Sequence, residues 1–448
     1  MNVNSIRLIA GLLIAGNTVF SATPENYQKL WHDPAISARI EKNIEKYRKG
    51  DVVLDVVDSS GKPVAGANVD VKQTRHEFLF GCNAFVLGQL ASPELNARYE
   101  EAFTNIFNFA TVPFYWEGTE PTKGELRYSE PARDIWRRPQ PDRFISWAAK
   151  NDITLKGHPL LWHAYNPSWL PKNADELRDA YRKRFGEIAS RFGGKISIWD
   201  GVNESLVCHT NYPLYSKDRE YVAWAFGEES KVFPATCTLL INDVTTFNFS
   251  PASDRFFDQV KGLLARGANI KGIGFQYHYF RRANLDSFLK SSQCDPAKLL
   301  DVYEKFSTFN LPAFITEITI PSAGDGGDEL QAEVVRDHYR LWFSAPMMAG
   351  ITWWNLGDGT AVKGENEAKG GLVDADLKPK TAYHALEKLI NEEWKTRTQV
   401  QSDAQGHASF RGFYGKYNVT VSRNGKTQTF EINHSRKGSE PHNLVVSD

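Results

Sequence analysis

Apolar positions along the chain change their period several times. Leu8–Val19 is an almost unbroken apolar run, preceded by a short polar start with Arg7 as its only charge and followed by the small pair Ser21-Ala22. It is too short to span a bilayer and has the shape of an export signal cut near residue 22. Pro34–Gly50 sets Ile36, Ile40, Ile44 and Tyr47 at helical spacing and predicts a helix stopped by Gly50. From Asp51 the period falls to two. The stretch DVVLDVVDSSGKPVAGANVDVK reads as two alternating strands joined around Ser59–Pro63, and the tail from Thr398 repeats the pattern in SFRGF, YNVTVS and TQTFEI. Those runs are divided by Gly406, Gly415 and the turn pair Asn424-Gly425.

Between these ends lie eight short apolar runs: FLFG (78–81), FNFAT (107–111), ITLKGH (153–158), ISIWDGVN (196–203), TLLIND (from 238), GIGFQYH (272–278), AFITE (313–317) and GITWWN (350–355). Each is separated from the next by enough chain for a returning helix, which predicts an α/β fold, a (β/α)8 TIM barrel. An open doubly wound sheet is disfavoured, because Gly81-Cys82-Asn83-Ala84 is no phosphate-binding glycine turn. Neither β-rich end holds enough strands for a stable sheet, but together they make a small accessory β-sandwich. The pieces VxDxxGxPVxGAxV and DxxGxxxFxGFxGxYxVxV resemble the two halves of a carboxypeptidase-regulatory type repeat, cut open after its second strand. The expected division is a signal peptide at 1–22, a helical segment at 23–50, a discontinuous β-sandwich from 51–77 plus 398–448, and the barrel at 78–397.

Composition narrows the function classes. Of 448 residues, 53 are Lys or Arg and 54 are Asp or Glu, so no field exists to hold a polyanion, and nucleic acid is not an expected partner. No run after the first reaches membrane-helix length. Export leads us to expect a secreted or periplasmic protein, where Cys82, Cys208, Cys237 and Cys294 could pair in any of three ways. They show no CxxC spacing, so a metal site is not expected. The 12 Trp and 17 Tyr supply flat faces with polar edges that suit sugar rings.

The barrel reading places polar residues together. Strand three ends in His158 with Trp162 and His163 beyond, strand four in Asn203-Glu204, and strand five in Asn242-Asp243. Strand six ends in Gln276-Tyr277-His278, strand seven in Glu317 and strand eight in Trp353-Trp354. Polar groups after apolar strands are costly to bury unless they find partners or serve a site. Two carboxyl groups facing one pocket, one kept protonated and one ionised, are what glycoside hydrolysis needs, with aromatics such as Trp162 and Trp199 desolvating the acid.

With those residues in view, the stretches GHPLLWHAYNPSWL, WDGVNES, INDV, GIGFQYHY, FITEI, GITWWN and GLVDADLKPKTAYHAL resemble glycoside hydrolase family 10, the retaining endo-β-1,4-xylanase family. The resemblance covers about Phe78 to Leu389. It implies Glu204 as general acid/base, Glu317 as nucleophile and Asn203 as the partner of the reacting sugar's 2-hydroxyl. It also implies that His278 helps keep Glu317 ionised and that His158, Trp162, Gln276 and Trp354 line the subsite of cleavage, with no cofactor. His163 stands open between a site and a structural role, and Asp243 reads as structural.

The departures concern substrate. After strand two the family's polar upstream grip is replaced by Thr111-Val112-Pro113-Phe114-Tyr115-Trp116, with Trp116, Glu120-Pro121 and Gly124 retained. Phe114 and Tyr115 could stack on a sugar ring or close the upstream subsite. The Asp expected two residues past the nucleophile is Thr319, and the second Trp after strand eight is Val362 or lost. A polysaccharide or oligosaccharide is the expected partner. Hydrolysis of xylan competes here with the same mechanism on another β-glycoside, such as a non-xylan glycan or an aryl or terpenoid glycoside, and with a barrel that only binds glycan.

Overall fold

The computed structural model describes residues 22–244, 252–438 and 441–447, so the export signal read at 1–22 lies almost wholly outside the described residues. Eight parallel strands close on themselves: Leu79–Asn83, Phe109–Pro113, Thr154–His158, Ile198–Asn203, Thr238–Asp243, Gly272–His278, Ala313–Thr319 and Met348–Trp353. Each pairs with its sequence neighbour, and the last closes on the first through Gly350↔Leu79 to Trp353↔Cys82. The expected runs match these strands with ends displaced by a few residues, and Leu161–Trp162 adds a short pairing onto the fourth strand. The runs were readable because parallel strands are covered on both faces, and their sequences are therefore apolar almost throughout.

The two mouths of the barrel differ. At the amino ends of the strands Phe109, Ile198, Leu240 and Phe314 fill the interior, with Leu79 and Ala349 packed against them. The carboxyl ends are left for polar groups. Gly157 keeps strand three close to strand four, because a Cβ there would lie 2.1 Å from the ring of Trp199. That ring also packs 4.8 Å from Phe114 and 5.3 Å from Phe233. Trp199 is therefore a core aromatic and does not desolvate the acid, contrary to the reading above.

Helix Pro34–Arg48 starts on an Asp33 cap, whose carboxylate accepts from the amides of Ala35 and Ile36. It ends two residues before Gly50, which already belongs to a strand and is kept small by Tyr414, 2.9 Å from where a Cβ would stand. Lys49–Asp58 pairs antiparallel with His407–Phe413 and parallel with His442–Val446. Asn68–His76 pairs instead with Arg397–Gln401 and Gly415–Arg423, the latter carrying Lys426–His434 on its far side. The two N-terminal strands thus lie in opposite sheets of the sandwich and are not a hairpin. Val52, Leu54, Val56, Val69, Val71, Tyr417, Val419 and Leu444 fill the space between the sheets. Asn424 and Gly425 both take positive φ, +50° and +78°, the conformation a tight hairpin turn requires.

All four cysteines are buried free thiols, so none of the three pairings considered above is made. Among the described residues no helix is long and apolar enough to cross a membrane.

One buried acid is at odds with its surroundings. Glu229, on helix Glu220–Val232, is fully buried against Gly201, and neither carboxyl oxygen has a partner among the described residues. Burial pushes it well above its ordinary value of 4.5. The folded chain therefore keeps a proton that the unfolded chain releases, and stability falls as pH rises from 4.5 towards the folded value. Glu229→Met should raise the melting temperature at pH 8 by clearly more than at pH 4.5. An equal shift at both would show that Glu229 is not held neutral.

Candidate active site

The carboxyl ends of the strands bring the eight side chains singled out above into one cleft. Glu204 follows strand four with a left-handed φ of +54°, which turns its side chain back over the barrel mouth. Its Oε2 accepts from Trp162 Nε1 at 3.1 Å and its Oε1 from Gln276 Nε2 at 3.0 Å. Glu317, 4% exposed, accepts from Asn242 Nδ2 at 3.1 Å and from His278 Nε2 at 3.1 Å. Asn203 joins the two halves, its Oδ1 accepting from Asn242 Nδ2 at 2.8 Å and Gln276 Nε2 at 3.4 Å. Its own Nδ2 is buried without a partner among the described residues, a donor left free beside the acid.

The two carboxyls differ in proton affinity. Burial, then the charge of Glu317, raises Glu204 to about 7. Burial also acts to raise Glu317, but the His278 hydrogen bond and the charges of His158, His278 and Lys156 outweigh it and hold Glu317 below its ordinary value. Near pH 6 the cleft therefore holds one carboxylic acid and one carboxylate.

His278 meets Thr319 through Nδ1, 2.9 Å from Oγ1. With Glu317 ionised, Nε2 carries the hydrogen of their bond, and a hydroxyl can face Nδ1 as donor or acceptor where a carboxylate could only accept. The Thr319 departure thus leaves His278 anchored. His158 is anchored from below, its Nδ1 2.7 Å from Asp200, which also takes Lys156 Nζ at 2.6 Å. Burial alone would raise Asp200, but Lys156 and His158 keep it below its ordinary value. This buried pair escaped the sequence reading, although a lysine inside the apolar run ITLKGH was its visible sign.

Aromatic rings wall the cleft. Trp354 stands 5.2 Å from Phe85, 5.6 Å from His158 and 5.9 Å from His278. Tyr115 stands 5.4 Å from His158 and 5.6 Å from Trp162, with Tyr165 at 5.2 Å on its edge. Phe114 points away from this cage into the core against Phe192 and Trp199, so only Tyr115 of the expected pair is placed to meet a sugar. His163 is half-buried beside His209, with burial lowering it to about 4, and makes no bond to either carboxyl. Asp243 accepts from Ser205 Oγ at 3.0 Å and from the amides of Leu206 and Val244 at 2.9 Å, fixing the loop behind Glu204. Away from the cleft, His32, Glu333 and Asp337 bring possible ligand atoms within 4.8 Å of one another, though Asp337 is already paired with Arg336 at 2.9 Å.

Comparison with known proteins bears on the family and the fold. Residues 84–389 match the model of the family described as glycosyl hydrolase family 10. Endo-1,4-beta-xylanase B of Thermotoga neapolitana is 28% identical over 317 residues, covering 67% of this chain and 85% of that protein. The anti-sigma-I factor RsgI6 of Acetivibrio thermocellus is also 28% identical, over 407 residues, 88% of this chain but 47% of that protein. The chain thus spans about half the length of that relative. Among solved structures, xylanase 10B from Thermotoga petrophila RKU-1 in complex with xylobiose has a TM-score of 0.59 at 22% identity, covering 71% of this chain and 95% of that one. The native xylanase 10B from Thermotoga maritima has a TM-score of 0.58 at 23% identity, covering 71% and 96%. At those identities the likeness speaks to the fold.

Proposed function

The chain belongs to glycosyl hydrolase family 10, and we propose from that premise that it hydrolyses a β-1,4-xylan with retention of configuration. The observation that carries the reading is the pair Glu204 and Glu317, joined through Asn203, Asn242 and Gln276 and separated in proton affinity. In the first step Glu317 attacks the anomeric carbon as Glu204 gives its proton to the departing glycosidic oxygen, leaving a glycosyl ester on Glu317. In the second, Glu204 takes a proton from water, the water oxygen attacks the same carbon, and Glu317 leaves as carboxylate. The free Nδ2 of Asn203 suits the sugar 2-hydroxyl, where a hydrogen bond strengthens as charge develops at the anomeric carbon. Export by the leader at residues 1–22 belongs to the same proposal, and the mass of the secreted chain checks it.

The test is product analysis on unsubstituted β-1,4-xylan with Glu317→Ala as the blank. Xylo-oligosaccharides released only by the intact chain support the reading; none from xylan together with release from another β-glycoside would replace the substrate. A pH profile adds a second check. Hydrolysis requires Glu204 protonated, so kcat/KM should fall as pH rises through about 7. It also requires Glu317 ionised, so the acid limb should lie below 4.5. A rate still rising at pH 9 would remove Glu204 from the role of acid.

A further inference from the structure

Two neighbouring arginines sit in the wall of the cleft without a carboxylate bonded to either. Arg137 and Arg138, 3% and 8% exposed, precede helix Pro141–Asn151. The Arg138 guanidinium lies 3.7 Å over the ring of Tyr115, with Phe85 and Tyr165 each at 5.8 Å. Its stem crosses Gly118, where a Cβ would come within 2.9 Å of Arg138 Cγ and Cδ, so residue 118 must be glycine for the arginine to lie there. Nη1 of Arg138 donates to the Arg137 carbonyl at 2.9 Å, and Nε has no partner among the described residues. Arg137 directs Nη1 to Asn355 Oδ1 and the Thr360 carbonyl, and its Nε is likewise unpartnered. The acid nearest Arg137 in effect is Glu365, which Asn355 Nδ2 already holds at 3.2 Å.

Other buried cations among the described residues are held by an acid or by more acceptors than Arg138. Lys156 has Asp200 at 2.6 Å, and Arg184 has three acceptors in Leu160, Thr119 and Phe114. Arg138 has a single carbonyl for its guanidinium, and a buried cation so sparsely held is costly unless a ligand completes it. Its planar fork matches oxyanions, while the aromatic rings around it suit the faces of a sugar. Tyr115 stands where the family's upstream sugar contacts would be, so the arginines border that side of the cleft.

We propose that Arg138, backed by Arg137, binds a negatively charged substituent, a carboxylate or a sulfate, on the sugar upstream of the scissile bond. The proposal rests on the glycoside-hydrolase reading above for the position of that sugar. It makes the chain selective for acidic glycans where its relatives' polar grip would take neutral ones.

The experiment is titration calorimetry on the full chain carrying Glu204→Gln, at 50 mM salt. Three ligands of equal length are compared: a neutral xylo-oligosaccharide, one bearing a glucuronic acid branch, and one bearing a sulfate ester. At least one anionic ligand should bind about tenfold more tightly than the neutral one, the size expected of a charge-assisted hydrogen-bond pair. The margin should shrink at 0.5 M salt and vanish in Arg138→Met. Which anion binds better identifies the group. Equal binding of neutral and anionic ligands, or no anionic binding at millimolar concentration, overturns the proposal, and this comparison needs only the intact arginine. Anionic preference without hydrolysis of any xylan by the wild-type chain would remove the xylanase reading and leave the anion site. Hydrolysis of neutral xylan without that preference would do the reverse.

Discussion

Glu317→Gln should lower kcat on xylan by a factor on the order of 10⁴–10⁶, the scale seen when a covalent nucleophile is removed. Glutamine has nearly the volume of glutamate, and its carbonyl can still accept from Asn242 Nδ2, the bond that places Glu317 at 3.1 Å. What it loses is the negative charge that His278, His158 and Lys156 sustain against burial. An uncharged amide neither attacks the anomeric carbon well nor leaves as a carboxylate. Substrate affinity should change little, because the aromatic cage and Asn203 are untouched, while the melting temperature should hold or fall, because the buried cations around Glu317 lose the charge they stabilise. Initial rates of reducing-sugar release at pH 6 measure the effect. A residual rate within tenfold of the parent chain would end the assignment of Glu317 as nucleophile.

Glu204→Gln should behave differently, and the difference separates acid from nucleophile. With an alcohol leaving group the variant loses proton donation, and kcat should fall by about 10²–10⁴. A dinitrophenyl β-glycoside needs no proton on its departing oxygen, so its first step should proceed almost unchanged. The second step still lacks a base, which gives a burst of dinitrophenolate followed by a slow phase. Azide, an anion that attacks without losing a proton, should restore turnover and yield a β-glycosyl azide. The alkaline limb near pH 7 should also disappear, since its titrating group is gone. Equal losses on both leaving groups, with no azide effect, would show that Glu204 only positions substrate.

Much of this fold was legible in the chain, for identifiable reasons. Strands buried on both faces must be apolar along their length, so the eight barrel runs stood out even though their ends shifted. Polar residues directly after them marked the open mouth, and Asn203-Glu204 and Glu317 were visible there without any contact being known. The pairing of Asn68–His76 was less legible. An alternating strand announces that one face is buried but not which sheet receives it, and Asn68–His76 joins the sheet opposite its neighbour in sequence. Trp199 was misplaced because a ring within an apolar strand can face the core as well as the mouth, and Gly157 made room for it in the core. Arg137 and Arg138 escaped notice because RRPQPDRF has no period. A loop's chemistry depends on what folds over it, here Tyr115, Phe85 and Asn355.

The sandwich has a consequence for how the chain is made. Val52 pairs with Phe410 and Val71 with Val419, so strands near the start of the chain meet partners that emerge from the ribosome some 350 residues later. At roughly 5–20 residues per second of synthesis, two alternating apolar strands wait tens of seconds with unpaired edges while the whole barrel is made between them. The barrel's closure onto its own first strand brings the two termini into reach, so its completion acts as the clamp that lets the sandwich assemble. Substitutions that slow barrel folding should therefore show first as loss of soluble yield, through aggregation of the early strands, before they show as loss of activity in the protein that survives.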